Sequence, residues 1–352
     1  MSDQSGNAAV QAFINCTPEI CPYDSSFYGY RIQIVPNAVF LGLFSLSLLG
    51  FLAVFLITRR GGAFTVAVSL GLITEILGYV GRILSWQNQW AELGFLMQIC
   101  CLTIAPAFLA AGIYFCIRKI VAAFGPENSR IPPQFYTRIF IPCDLISLIL
   151  QAAGGALASI ASHTHGSTTL GDNIMIAGLA FQVFTLLVFM ILCVDFGINT
   201  LRRTRALGAA ALDQDAAIVA IRRSRMFKGF LVALALSTIC IFWRSVYRVA
   251  ELSNGWTGPL MKRQDLFIGF EGVMITVAVL VLNVFHPSLC FRDLMGPRKN
   301  FRFWAAKRAV GEPKGDVEKS EVRGKSSTGT SVTGPSGKSS AYASDGEGVE
   351  RT

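Results

Sequence analysis

Residues Phe242 to Glu251 read FWRSVYRVAE and close a long apolar run that begins near Met226. Arg244, Tyr247, Arg248 and Glu251 fall at i, i+3, i+4 and i+7, so a helix places all four on one face. A charge at the centre of a membrane-spanning helix costs roughly 2.5–3.5 kcal/mol on insertion scales. Such residues persist where they face a bundle interior or a wet cavity and find partners there. The stretch therefore predicts a buried polar face whose partners come from other apolar runs.

The rest of the chain supplies those runs. Of its 352 residues, 52% are hydrophobic and only 15% charged, against about 25% charged in a soluble domain; the mean hydropathy is +0.50. Seven runs reach the ~20 apolar residues that a bilayer crossing needs. They lie near 35–57, 64–84, 94–117, 139–161, 174–198, 227–249 and 265–285. The expected fold is all-α, a polytopic membrane protein of seven transmembrane helices. The first 30 or so residues hold no basic segment followed by an apolar one, so no cleavable signal peptide is expected.

The net charge of +9 is unevenly spread. Arg59 and Arg60, then Arg118, Lys119, Arg130 and Arg138, then the arginines between 202 and 225 occupy alternate loops, and the tail after His286 is basic again. The loops at 85–93, 162–173 and 250–264 carry few cations. The positive-inside rule then puts the N-terminus outside and the C-terminus in the cytoplasm. It divides the chain into an extracellular segment (1–33), a seven-helix domain (34–287), a basic-aromatic segment lying in the inner interface (288–310) and a disordered cytoplasmic tail (311–352). The basic loop and tail suit contact with anionic inner-leaflet lipid, and a cytoplasmic partner is a further option; nucleic-acid binding is not expected. Cys290 is a candidate for acylation.

Asn15-Cys16-Thr17 is a glycosylation sequon on the outer side, and Cys16 and Cys21 are close enough in sequence to form a disulfide there. Trp86 and Trp90 suit a headgroup belt. The remaining cysteines sit mostly in apolar runs and read as small buried hydrophobes.

The second run repeats the polar spacing of the sixth, with Glu75, Gly78, Tyr79 and Arg82 in TEILGYVGR. Gln98 and Pro106 lie in the third, Asp144 and Gln151 in the fourth, Gln182 in the fifth and Glu271 in the seventh. Pro106 removes a backbone donor, frees a carbonyl and bends its helix. Gly154, Gly155 and Ala158 let another helix approach closely. With the topology above, Glu75, Tyr79, Arg82, Gln98, Gln151, Gln182, Arg244, Tyr247, Arg248, Glu251 and Glu271 converge on a polar cavity in the outer half. Salt bridges of Glu75 or Glu271 with Arg244 or Arg248 balance its charges. One reading makes this an ion-pair network that fixes helix register; the other lets some of the groups meet a ligand.

Other chemistries lack their residues. The two GKS triplets in the tail have Lys319 and Val332 where a phosphate-binding loop needs glycine. Neither HExxH nor GxSxG occurs, His163 and His165 lack a third metal ligand, and no cofactor or metal is expected. The chain reads as a non-enzyme. A G-protein-coupled receptor is suggested by topology alone, since YFCIRKIVAAF and LNVFHPSL lack that class's signatures.

EILGYVGR (75–82), MQICCLTIAPAFLAAGIYFCIRKIV (97–121), DLISLILQAAGGALAS (144–159), GLAFQVF (178–184), FWRSVYRVAELSNGWTG (242–258) and FEGVMITVAVLVLNVFHPS (270–288) together resemble the fungal lipid-translocating exporter family. These are RTA-like seven-span proteins related to aminocholesterol-resistance and sphingoid-base-resistance proteins. The resemblance covers roughly residues 30–290. It implies a multi-pass plasma-membrane protein of a fungus, efflux or transbilayer movement of long-chain sphingoid bases, and resistance to lipophilic toxic compounds. The expected substrates are membrane lipids, sphingoid bases or similar amphipathic amines. Glu75 or Glu271 is then expected to pair with the ammonium, with Arg82, Arg244 and Arg248 beside them as counter-charges. The alternative is a receptor-like sensor or regulator of membrane lipid asymmetry that uses the same cavity, and a ligand-free scaffold is the third.

Overall fold

The structure, a computed structural model, describes residues 16, 21–164, 166–208, 212, 216–253 and 258–290. Asn15, His165 and everything after Cys290 lie outside the described residues, and with them the sequon, the interfacial segment and the tail.

Among the described residues, seven helices are long and apolar enough to cross a membrane. They are α1 (Ile34–Thr58), α2 (Gly62–Gln87), α3 (Glu92–Phe124), α4 (Pro133–His163) and α5 (Thr169–Leu207). After a short α6 (Ala216–Arg223) come α7 (Arg225–Ser253) and α8. The last is composite: Gln264–Phe267 leads into a π-helical turn, Ile268–Val273, and then into Met274–Val284. No strand occurs among the described residues.

The helices overrun their apolar stretches because nothing in the flanking sequence stops them. α5 carries on through Arg202, Arg203 and Arg205 to Leu207, about 58 Å at 1.5 Å per residue. Its bounds and those of α6 make the arginine-rich stretch after 200 partly an extension of a span and partly a separate helix. Where stops exist they are local: Arg59 and Gly61 take positive φ and turn the chain between α1 and α2.

Neighbours in sequence pack as neighbours in space, α2 on α3 and α4 on α5 most extensively, with α7 on α8. α1 buries one stripe, Asn37, Phe40, Phe44, Ser47 and Phe51, and leaves the rest to lipid. Asn283 of α8 donates to the Ser47 carbonyl (2.9 Å), and Ser237 of α7 donates to the Ala278 carbonyl (2.8 Å). Close crossings follow the glycines. A Cβ on Gly81 would lie 2.9 Å from the Gly94 carbonyl, so α2 and α3 meet backbone to backbone there. Gly154 does the same against α5, where a Cβ would meet Met175 N at 2.5 Å; Gly155 faces open space.

One end of the bundle holds the arginine-rich termini of α3, α5 and α7. The other is covered by the segment between residue 21 and α1, which we call the strap. Cys16 and Cys21 are joined by a disulfide at its start. Trp86 is 37% exposed, whereas Trp90 lies under the strap, stacked on Tyr23 and donating Nε1 to Ser25 Oγ (3.2 Å). Trp90 is therefore a strap anchor and not a lipid-belt residue. Cys290 is buried at 6% exposure.

Candidate functional site

The polar face of α7 meets its partners at the strap end. Arg82, Arg244 and Arg248 are among the largest fully buried side chains of the protein, and Glu75, Glu251 and Glu271 are buried with them. Three formal positive charges thus face three negative ones, the composition that a low-dielectric interior demands.

The pairing is uneven. Arg244 Nη2 donates to Glu271 Oε1, and Arg248 Nε donates to Glu271 Oε2 at 2.8 Å. Arg248 Nη1 donates to Glu251 Oε2 (2.7 Å), and the Tyr247 hydroxyl donates to Glu251 Oε1 (3.3 Å). Glu271 therefore clamps both arginines of α7. It sits in the π-helical turn, where an extra residue per turn redirects side chains, a distortion that often marks functional positions. Arg244 Nη2 also donates to the carbonyl of Leu102. Leu102 is the residue four before Pro106, so its carbonyl is the one that the missing proline N–H leaves free.

Arg82 has no carboxylate. Its Nη1 donates to Gln98 Oε1 (3.2 Å), its Nη2 donates to the Tyr30 hydroxyl (2.7 Å), and its guanidinium lies over the Phe267 ring at 3.8 Å. Gln98 Oε1 also accepts from the Tyr28 hydroxyl (2.8 Å), which lies 3.0 Å from Ser85 Oγ. Burial pushes the Tyr28 hydroxyl up to about 12, against the opposing pull of Arg82. The Gln89 amide holds the strap from its other side, donating to the Tyr30 carbonyl (3.2 Å) and accepting from Ile32 N (2.7 Å).

Glu75 lies deeper and is different in kind. It has 0% exposure, and neither carboxyl oxygen receives a hydrogen bond. Arg244, Glu271 and Arg248 are the charges around it, but both arginines are turned to Glu271. The Tyr79 hydroxyl, one turn along α2, is also buried without a hydrogen bond, its ring packed on Phe40 and Phe44 of α1.

Gln151 and Gln182 stand apart from these charges. Gln151 Nε2 donates to Gln182 Oε1 (3.0 Å) across the α4–α5 contact, and neither bonds to the cluster. The eleven side chains expected to converge form a charged cluster between α2, α3, α7 and α8 and a separate amide pair between α4 and α5. All are 7% exposed or less, so the expected opening is packed shut in this structure. Tyr28, Tyr30, Ser85 and Phe267 complete the cluster and were not anticipated. The strap residues carry a faint signal, Tyr28, Tyr30 and Ile32 alternating in sequence, with Tyr28 and Ile32 buried.

Fold and site together define a class: a seven-span membrane protein with a charge-balanced arginine–glutamate cluster sealed inside one end of its bundle. The chain belongs to the RTA1 like protein family, whose sequence model matches residues 68–294. It is 34% identical over 251 residues to the sphingoid long-chain base transporter RSB1 of Saccharomyces cerevisiae, an alignment that covers 65% of each chain. It is 31% identical over 215 residues to protoporphyrin uptake protein 1 of the same organism, covering 61% of this chain and 65% of that one. Protein RTM1 of S. cerevisiae is 30% identical over 217 residues, covering 61% and 64%. The chain thus spans just under two thirds of the length of these curated relatives. No solved structure gives a significant match.

Proposed function

We propose that this chain moves amphipathic lipids with an amine head, long-chain sphingoid bases above all, between the leaflets of the plasma membrane. Export of such compounds gives resistance to lipophilic toxicants. The observation that carries the reading is Glu75, an enclosed acid with two unbonded oxygens beside arginines already committed to Glu271 and Glu251. An ammonium offers three donors and the opposite charge, and so fits the vacancy that the arginines leave. The head reaches Glu75 when the cluster opens, while the tail stays in lipid. The similarity to RSB1, a sphingoid long-chain base transporter, supports the same substrate class. Glu271 acts here as a structural clamp, with Glu75 as the ammonium site. Tyr79, Arg82, Gln98, Tyr247 and Glu251 line the route, and Gln151 and Gln182 line it on the α4–α5 side.

The topology that goes with this reading has the strap outside and the arginine-rich end in the cytoplasm, on anionic lipid. The chain acts as a transporter and not as an enzyme.

The test is transbilayer movement in proteoliposomes that contain only the purified chain, with a fluorescent long-chain base and a fluorescent phospholipid as probes. Faster crossing of the base, lost in Glu75→Gln, supports the reading. No acceleration by folded protein overturns it. The closed packing of the cluster favours a second reading, a sensor that binds lipid without carrying it. Deleting residues 311–352 silences a sensor and spares a transporter.

A further inference from the structure

A second acid is buried away from the charged cluster, and nothing above uses it. Asp144 of α4 is 4% exposed. It faces α3 and α5, where Thr185 Oγ1 donates to its Oδ1 at 3.4 Å. Its Oδ2 receives no hydrogen bond. The Tyr114 hydroxyl of α3 lies beside the same carboxyl and makes no other hydrogen bond. Ser147, one turn along, is turned back to the Asp144 carbonyl (2.6 Å). Among the described residues no arginine, lysine or histidine bonds to Asp144.

The oxygens left open are Asp144 Oδ2 and the Tyr114 hydroxyl; the Thr185 hydroxyl, which donates to the Gln182 carbonyl (2.9 Å) and lies 3.4 Å from Asp144 Oδ1, keeps lone pairs free to accept. This set suits a small cation that carries its own N–H donors. A metal ion is a poor fit, since calcium takes six to eight oxygen ligands and one carboxyl is the only acid here. No group of three acidic, histidine or cysteine side chains is placed to hold a metal ion among the described residues. A primary ammonium needs two or three acceptors and one negative charge, which is what this place offers.

Placement makes the chemistry useful. α3 is the wall common to both acids. From Leu102, which receives Arg244, to Tyr114, beside Asp144, is twelve residues, about 18 Å of helix rise. The hydrocarbon core is about 30 Å thick. Gly78 and Gly71, which flank Glu75 on α2, pack against Leu102 and Leu109 of α3, so Glu75 stands nearer the strap end than Asp144. α4 is also a peripheral helix: next to Asp144, Leu145 and Ile146 are 56% and 51% exposed on its lipid side. An amphiphile seated between α4 and α5 keeps its tail in lipid while its head reaches Asp144.

We infer that Asp144, with Tyr114 and Thr185, forms a second ammonium station, nearer the arginine-rich end than Glu75. An amine head occupies it before or after the Glu75 site. The inference rests on the amine-transport reading for its substrate class, and its test separates the two.

Purified chain in proteoliposomes is given a photoreactive long-chain base, and labelled peptides are mapped; crossing of a fluorescent long-chain base is measured in parallel. The expected result is base-competed labelling within α4 or α5, lost at least tenfold in Asp144→Asn, with a similar loss of base crossing. Competition by the N-acetylated base, which has no ammonium, should be at least tenfold weaker. Crossing and labelling unchanged in Asp144→Asn overturn the station and leave the transport reading standing. If the wild-type chain does not accelerate crossing, transport falls, and the labelling alone decides the station: kept if Asp144→Asn abolishes it, overturned if labelling is absent or unaffected. Folding of the variant is read from its thermal transition. Should Asp144→Asn fail to fold, Tyr114→Phe takes its place; it retains the ring contact with Phe189 at 4.7 Å and removes one acceptor. A severalfold loss of labelling then supports the station, and no loss overturns it.

Discussion

Arg244 hydrogen-bonds the backbone carbonyl of Leu102, the group that Pro106 leaves without its helical donor. A kink in one span and a buried charge in another thus satisfy each other, and the same guanidinium nitrogen also holds Glu271. Pro106→Ala restores a donor to the carbonyl and sets it in competition with Arg244. A hydrogen bond to a charged group contributes about 1.5–3 kcal/mol, while removing proline from a helix interior recovers up to about 3 kcal/mol. The expected variant is folded, with a thermal transition within several degrees of wild type, and moves long-chain base severalfold more slowly. Unchanged transport would mean that the Leu102 anchor is dispensable.

Glu75 and Glu271 should part company on mutation. Glu271→Gln leaves Arg244 and Arg248 buried with one carboxylate fewer, and breaking a buried pair costs about 3–5 kcal/mol. The expected outcome is loss of surface expression or a strongly lowered thermal transition. Glu75→Gln breaks no hydrogen bond, so it should express and melt like wild type while losing resistance to a toxic long-chain base. Surface labelling and growth on that base, read together, check both halves. A well-expressed, active Glu271→Gln would sink the clamp.

How much of this was legible follows from what periodicity encodes. The seven spans and the polar face of α7 are one-dimensional signals, and Arg244, Tyr247, Arg248 and Glu251 do share a buried face. Which acid takes which arginine is not such a signal. It turns on the π-helical turn at Ile268–Val273, which no residue pattern announces and which aims Glu271 at both arginines. The separation of Gln151 and Gln182 from the charges depends on how α4 and α5 cross. The strap was opaque because a short irregular segment anchored by Tyr28 and Tyr30 has neither a helical period nor a hydrophobic run. That Pro106 frees a carbonyl was foreseeable, and that the carbonyl, Leu102's, accepts from Arg244 was not.

The strap should show a pH limit set by Tyr28. Burial raises its hydroxyl from the ordinary 10 to about 12, so folding favours the neutral phenol. Because the folded value lies above the unfolded one, the contribution of Tyr28 is fully present below pH 10. It falls as pH rises from 10 towards 12 and above. Spectrophotometric titration should show a tyrosine that ionises near pH 12 and is missing in Tyr28→Phe. If that variant's titration matches wild type, Tyr28 is not held as described.

Gly154 and Gly155 are adjacent, one against α5 and the other in open space, which isolates the effect of helix contact from that of helix propensity. A Cβ on Gly154 would sit 2.5 Å from Met175 N and 2.7 Å from the Gly171 carbonyl, backbone atoms that cannot step aside. Gly154→Ala must therefore push α4 off α5, and overpacking of this kind costs typically about 1–3 kcal/mol. It also strains the Gln151–Gln182 hydrogen bond one turn away. Gly155→Ala meets nothing within 4 Å and gains up to about 1 kcal/mol of helix propensity. Thermal melts in one detergent should therefore move in opposite directions, down for Gly154→Ala and level or up for Gly155→Ala. Equal shifts of the two would mean that α4 and α5 do not meet at Gly154.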